Sequence, residues 1–255
     1  MENSNKKILI LSSNHPICKE FYNNIPYSDR VEVFTIIEKP ISKFGLLVKR
    51  YRKIGLFQTI NQLAFFLILL PIIKICSKQR VEDLKKRIIK ESIMPNERFY
   101  VDNINSEHTL KLIRKIKPHR IFCFGTRLLS PYFISQVGMP IFNIHFGITK
   151  RYRGSHGVYW ALVNNDVQNC GLTIHYIDSG IDTGKIIKTY SLKISENDNF
   201  VSYVYLQLAT LLLNIHEIFD LMVVDTSGCN GKKGKLFGHP TFSQYLYNYF
   251  TKNIK

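Results

Sequence analysis

Apolar runs of strand length alternate with amphipathic stretches through the first two-thirds of the chain. Residues 7–12 (KILILS) are apolar almost throughout, the pattern of a parallel strand buried on both faces. A helix is predicted over 16–25, with Pro16 near its start, and residues 31–37 (VEVFTII) form the next strand. The alternation resumes with a strand at 98–101. Ser106 is placed to cap a helix that runs to Lys117 with Leu110 and Ile113 turned inward, and Pro118 ends it. Residues 120–124 (RIFCF) read as a further parallel strand, 125–129 as the turn at its carboxyl end, and Ser130-Pro131 as the start of a short helix. Residues 141–145 and 171–177 alternate apolar and polar side chains, and 185–191 is expected to pair antiparallel with 173–177. Residues 199 to about 224 read as one long helix whose buried stripe is Val204, Leu208, Leu211, Leu212, Ile215 and Phe219. The succession predicts an α/β fold, a Rossmann-like doubly wound and mostly parallel sheet with a long C-terminal helix. One domain is expected over 1–225, followed by a loop and short tail over 226–255. In that tail Lys232 to Lys235 read as solvated surface and the aromatic-rich stretch 241–249 as docking on a core, and Tyr245, Tyr247 and Phe250 give no nucleic-acid signal.

Residues 43–92 break the pattern and read as a helical insertion. They carry twelve Lys and Arg against three Asp and Glu, and they enclose the apolar run 63–73 (LAFFLILLPII). The uninterrupted run is shorter than the roughly 18 residues that make a membrane span the first choice. Three placements remain open: a helix buried in the fold or at a homodimer interface, a basic amphipathic element resting on anionic membrane, and a true span. The buried placement is the expectation, remote from the chemistry of residues 141–187.

Charge sets this chain apart from an average globular protein. Lys and Arg number 35 against 19 Asp and Glu, a net charge of +16 over 255 residues, which attracts polyanions: nucleic acid, anionic lipid or phosphorylated small molecules. Cys18, Cys76, Cys123, Cys170 and Cys229 are scattered and show no metal spacing, so reduced thiols are expected. The N-terminal residues lead into a strand without a signal-peptide core, which predicts a cytoplasmic location, with peripheral contact at the inner membrane face through 43–92 as an option. Ser12-Ser13-Asn14-His15 contains no glycine, so the dinucleotide fingerprint of a dehydrogenase is missing. No aromatic or basic pattern points to specific nucleic-acid binding.

The candidate chemistry lies in 141–187. Asn143 and His145 share one face of a strand, Tyr152-Arg153-Gly154 sits in the Gly- and Arg-rich loop that follows, and a second strand leads into Asp178-Ser179-Gly180-Ile181-Asp182-Thr183-Gly184. An amide donor, an imidazole and a carboxylate at strand ends and loops suit acyl transfer to an amine. The amide can hold developing negative charge, the imidazole can move a proton, and the carboxylate can orient that imidazole. No metal is required. His156 and His175 have no zinc-type spacing from His145, and His175 reads as structural or supporting as readily as catalytic.

Asn-x-His, Tyr-Arg-Gly and Asp-x-Gly-x-Asp-Thr-Gly at this spacing resemble the folate-dependent formyltransferase family, most strongly over 117–191. The resemblance implies a formyl group moved from N10-formyltetrahydrofolate to a primary amine. It implies Asn143, His145 and Asp182 as catalytic residues. Phe124, Gly125, Thr126, Arg127, Leu128, Ile177, Asp178 and Gly180 would border the folate, and Tyr152, Arg153 and Gly154 the acceptor. One departure is Gly147-Ile148-Thr149-Lys150, where many members carry Ser-Leu-Leu-Pro. Glycinamide ribonucleotide is disfavoured as acceptor by the glycine-free loop at 12–15. Methionyl-tRNA is disfavoured because no run of short strands follows Asp182 to build a tRNA-binding barrel. A nucleotide-linked amino sugar for surface polysaccharide is the expected acceptor. Readings from other classes are a basic RNA-binding module and a catalytically silent, membrane-tethered member of the family.

Overall fold

The computed structural model describes residues 5–40, 42–88, 93–221 and 234–255. Among the described residues nine strands are formed: β1 (Lys6–Ser13), β2 (Val31–Glu38), β3 (Asn96–Val101), β4 (Arg120–Phe124), β5 (Ile141–His145), β6 (Tyr152–Gly154), β7 (Gly171–Tyr176), β8 (Ile186–Ser191) and β9 (Lys235–Phe237). Seven of them make one sheet in the order β3-β2-β1-β4-β5-β7-β8. The first five in that order run parallel, and β7 and β8 turn antiparallel. β6 and β9 pair separately.

Side chains along the central strands alternate between two buried layers. Ile8, Ile10, Phe122, Phe142 and Ile144 face α1 (Pro16–Asn23) and the C-terminal helices. Leu9, Leu11, Ile36, Ile121 and Cys123 face α5 (Glu107–Ile116) and α6 (Pro131–Val137). Helix ends are set locally. Ser106 Oγ accepts from the Thr109 N–H and Ser130 Oγ from the Phe133 N–H, and Lys117 closes α5 in the left-handed conformation with φ 52°.

Two expectations are corrected. The helix predicted over 199–224 is two helices, α8 (Ser202–Leu213) and α9 (Ile215–Asp220), broken at Asn214. The Asn214 amide bonds back to the Thr210 carbonyl at 2.7 Å, the local competition that makes asparagine a poor mid-helix residue. Residues 222–224, the expected boundary at 225, Cys229, Lys232 and Lys233 lie outside the described residues.

The second correction concerns 63–73. The insertion consists of α2 (Lys43–Ala64), kinked at Gly55, a π-turn (Phe65–Leu69), α3 (Leu70–Cys76) and α4 (Lys78–Ile88). Only Phe65 and Ile73 of the apolar run are buried, whereas Leu67 is 74% exposed and Ile68 and Ile72 are each 53% exposed. An apolar run without helical period places apolar side chains on both faces, and the domain covers one. Nor is the insertion remote from 141–187. Phe65 and Ile73 join a third core with Tyr152, α7 (Gly157–Val163) and Tyr245 of α10 (Phe242–Lys252). Polar bonds add to the seating: Gln62 Nε2 to the His239 carbonyl, 2.8 Å; Asn61 Nδ2 to Ser243 Oγ, 2.9 Å; and Arg80 Nε to Asp198 Oδ1, 2.8 Å.

Candidate active site

Strand order reverses between β1 and β4, and in an open parallel sheet a crevice forms outside the carboxyl ends at such a point. A cavity of about 420 Å³ opens there, within the size range of small-molecule sites. Its floor is the end of β5. Because β7 pairs antiparallel with β5, Asn143 stands opposite His175, and His145 opposite Thr173, so residues far apart in sequence share one face.

Asn143, His145 and His175 converge on Asp182. Asn143 Nδ2 donates to Asp182 Oδ1 at 3.3 Å and to His175 Nε2 at 3.0 Å. His175 Nδ1 lies 2.7 Å from the Tyr176 carbonyl. That carbonyl assigns the proton to Nδ1 and leaves Nε2 to accept from Asn143. His145 Nδ1 is 3.4 Å from Asp182 Oδ1, and its Nε2 donates to the Tyr152 carbonyl at 3.2 Å. Asp182 itself sits in the left-handed region, φ 51°, with Oδ2 accepting from the Gly154 N–H at 2.9 Å. Gly154 has no alternative, since its φ is 88° and a Cβ there would meet the Phe237 carbonyl oxygen at 2.3 Å.

Burial and charge oppose each other here. Burial pulls the His145 pKa below its usual value, and the nearby Asp182 carboxylate pulls against that. Burial pushes Asp182 up, yet the pull of His145 and the Gly154 N–H counter it, and the carboxyl is held below the ordinary range. The outcome is an ionised carboxylate beside an imidazole that is mostly neutral at pH 7, the protonation state a base requires.

Phe124, Gly125, Thr126, Arg127, Leu128, Ile177, Asp178 and Gly180 all line the cavity, as do Gly154, Asn143, His145 and Asp182. Arg127 pairs with buried Glu38 at the end of β2, and Asp178 Oδ1 clips its own loop by accepting from Gly180 N–H and Thr183 Oγ1. The side chains of Tyr152 and Arg153 point elsewhere. Tyr152 is buried with its hydroxyl on Asp166 Oδ2 at 3.0 Å. Arg153 ties the Gly234 and Ile181 carbonyls together at 2.6 and 3.0 Å, bracing the Asp182 loop from behind. Sequence reasoning missed His15, which lines the cavity beside α1, and left His175 undecided. The β5–β7 register was the signal for His175, and no local pattern marked His15.

His15 lies on a part of the rim that the nearby Lys74 makes cationic. Burial and the charge of Lys74 lower its pKa. His239 is lowered to about 4 by burial and by the charges of Arg50 and His15. Lys74 of the insertion thus acts on a cavity-lining residue, whereas Arg50 lies over the Phe66 ring, 4.9 Å from its centroid, near His239.

The formyl transferase family model matches residues 6–210. The bifunctional polymyxin resistance protein ArnA of Wigglesworthia glossinidia brevipalpis is 34% identical over 116 residues, 45% of this chain and 17% of that protein. Methionyl-tRNA formyltransferase of Chlorobium chlorochromatii is 31% identical over 99 residues, 39% of this chain and 31% of that protein. The match therefore spans less than a third of either relative's length. Phosphoribosylglycinamide formyltransferase from Anaplasma phagocytophilum shares the fold with a TM-score of 0.56 at 15% identity, covering 91% of this chain and 98% of that one. With the matched region taking in the whole convergent cluster and the sheet that presents it, the chain belongs to the formyl transferase family.

Proposed function

We propose that the protein transfers a formyl group from N10-formyltetrahydrofolate to the primary amine of a nucleotide-linked amino sugar. The observation that carries the reaction is the convergence of Asn143, His145 and Asp182 at the floor of a cavity at the strand-order switch. The cavity's chemistry fits the folate: apolar walls from Phe124, Leu129 and Ile177, bordered by the chain at 125–127 and 178–180, suit a flat heteroaromatic ring with a polar edge. N10-formyltetrahydrofolate supplies the formyl carbon.

The chain's own groups divide the work. Asn143 Nδ2 has both hydrogens engaged, and the 3.3 Å bond to Asp182 is the longer and more easily surrendered. Turned to the formyl oxygen, that N–H stabilises the charge developing there. His145 then accepts the proton that the attacking amine must lose and would return it to the donor nitrogen as its bond to the formyl carbon breaks. Asp182, released by Asn143, is left to face the imidazolium at 3.4 Å. Arg153 and the Gly154 N–H keep the carboxylate in place while this happens.

The acceptor assignment rests on the rim. His15 lines the cavity and feels the charge of Lys74, and with the chain's net charge of +16 this suits a compact polyphosphate linked to the amine-bearing sugar. The test is incubation with N10-formyltetrahydrofolate and, in parallel, a panel of nucleotide-linked amino sugars, glycinamide ribonucleotide and methionyl-tRNA, read by mass spectrometry for one added formyl group. Formylation of a sugar nucleotide is expected. Transfer to one of the other two alone would reassign the acceptor, and transfer to none would remove the activity.

A further inference from the structure

The inserted helices are apolar on both faces. Over α2, the π-turn and α3, the face turned to the domain buries Thr59, Gln62, Phe65, Ile73 and, just past α3, Ser77, with Phe66, Leu69 and Leu70 partly buried against the same core. The face turned away is apolar as well. Leu56, Phe57, Ile60, Leu67, Ile72 and Ile75 are between 53% and 76% exposed, and Ile68 continues their stripe. An ordinary surface helix is polar on that outer face. The stripe runs about 28 Å along the axis at the helical rise of ~1.5 Å per residue, larger than the scattered apolar residues a soluble surface shows.

Charge identifies the occupant. No Asp or Glu occurs from Lys39 through Val81. Exposed Arg52 and Lys53 flank the stripe on one side, and Lys78, Lys86 and Arg87 follow it on the other. We propose that this face is a docking surface for an anionic lipid leaflet, on which the helices lie with Leu56 to Ile75 in the acyl boundary and the basic flanks among the headgroups. Arg50–Cys76 is long and apolar enough to cross a membrane, but it is held to the domain along its inner face by the bonds of Gln62 and Asn61, and by Ser77 Oγ to Asn199 Oδ1 at 2.8 Å. It therefore lies on the bilayer rather than across it. A second copy of the chain is the poorer occupant, because a two-fold contact through this face would bring its basic flanks near one another. Docking would set the cationic rim, with Lys74 of α3, close to the leaflet.

Co-sedimentation of the full chain with phosphatidylglycerol-containing vesicles, and with pure phosphatidylcholine vesicles, tests the surface. Partitioning onto the anionic vesicles is expected at low salt and should weaken steeply as salt rises. The variant Phe57→Ser/Leu67→Ser/Ile75→Ser should lower it by roughly tenfold or more. Arg52→Gln/Lys53→Gln should lower it less and flatten the salt dependence. These positions are exposed, so unchanged circular dichroism is expected in both variants. Absence of binding, or equal binding to both vesicle types, would overturn the proposal. So would a wild-type dimer that the triple Ser variant converts to monomer without any change in lipid partitioning. None of these readouts requires the proposed acceptor to be correct.

Discussion

His145 has an acceptor at each ring nitrogen, the Tyr152 carbonyl at 3.2 Å and Asp182 Oδ1 at 3.4 Å, inside a site whose burial lowers its pKa. Because that pKa lies below the ordinary histidine value of 6.5, the neutral base persists to lower pH than for a free histidine. The acid limb of kcat/KM should accordingly fall below pH 6.5. Asp182 is the group that pulls His145 upward, so Asp182→Asn should shift the imidazole's NMR titration to still lower pH; an upward shift would show that the carboxylate does not stabilise the imidazolium. His145→Ala should cost turnover ~10²–10⁴-fold with the fold retained, since removing a positioned proton-transfer group has that effect. Asn143→Ala should cost ~10²–10³-fold in kcat. A steady-state result confined to KM would make Asn143 a ground-state binding residue instead.

At the scale of elements, the site depends on segments that pin one another. Gly147 lets the turn after β5 pass under His145, since a Cβ there would meet His145 Nε2 and the Tyr152 carbonyl oxygen, each at 2.8 Å. The insertion is tied to α8's start by the Arg80–Asp198 pair, whose carboxylate also accepts from the Ser195 N–H at 2.9 Å. The N-terminus of α7 is joined to the chain after β9 by His156 Nε2 and His239 Nδ1, 2.7 Å apart. Both imidazoles are held below their usual pKa, chiefly by burial, with His239 at about 4. The sign follows: protons bind the unfolded chain first, so the stability these groups contribute is present above pH 6.5 and is lost as pH falls toward 4. For His239 alone the shift corresponds to a loss on the order of 3 kcal/mol. Urea midpoints measured across that window should fall steeply in the wild type and less steeply in His239→Gln.

For the whole molecule the dominant quantity is the net charge of +16. It raises the local concentration of any anionic acceptor, an effect that fades as the Debye length shrinks to ~3 Å at 1 M salt. For a nucleotide-linked acceptor, kcat/KM should fall with added salt mainly through KM. A neutral amine lacking the phosphates should show little of that dependence. Equal salt responses for the two would mean that the cationic rim does not contact the acceptor.

Strand and helix periods, cap residues and turn residues are local properties, and the chain by itself determined what depends on them. Residues 120–124 and 141–145 form strands with the predicted bounds, Ser106 and Ser130 cap the predicted helices, and the doubly wound sheet follows from their succession. Asn143, His145 and Asp182 stand out in the sequence because their motif is compact, and the structure brings their side chains together. Tertiary structure alone decided what depends on contacts between distant segments. The β5–β7 register set His175 against Asn143, and Arg153 turned away from the cavity to brace the Asp182 loop. Parallel pairing of β6 with β9 brought the chain after 233 behind the site. The fate of 63–73 was undetermined for the same reason: its apolar residues have no helical period, so only the packing of Phe65 and Ile73 against α7 and α10 fixes which face is buried and which remains outside.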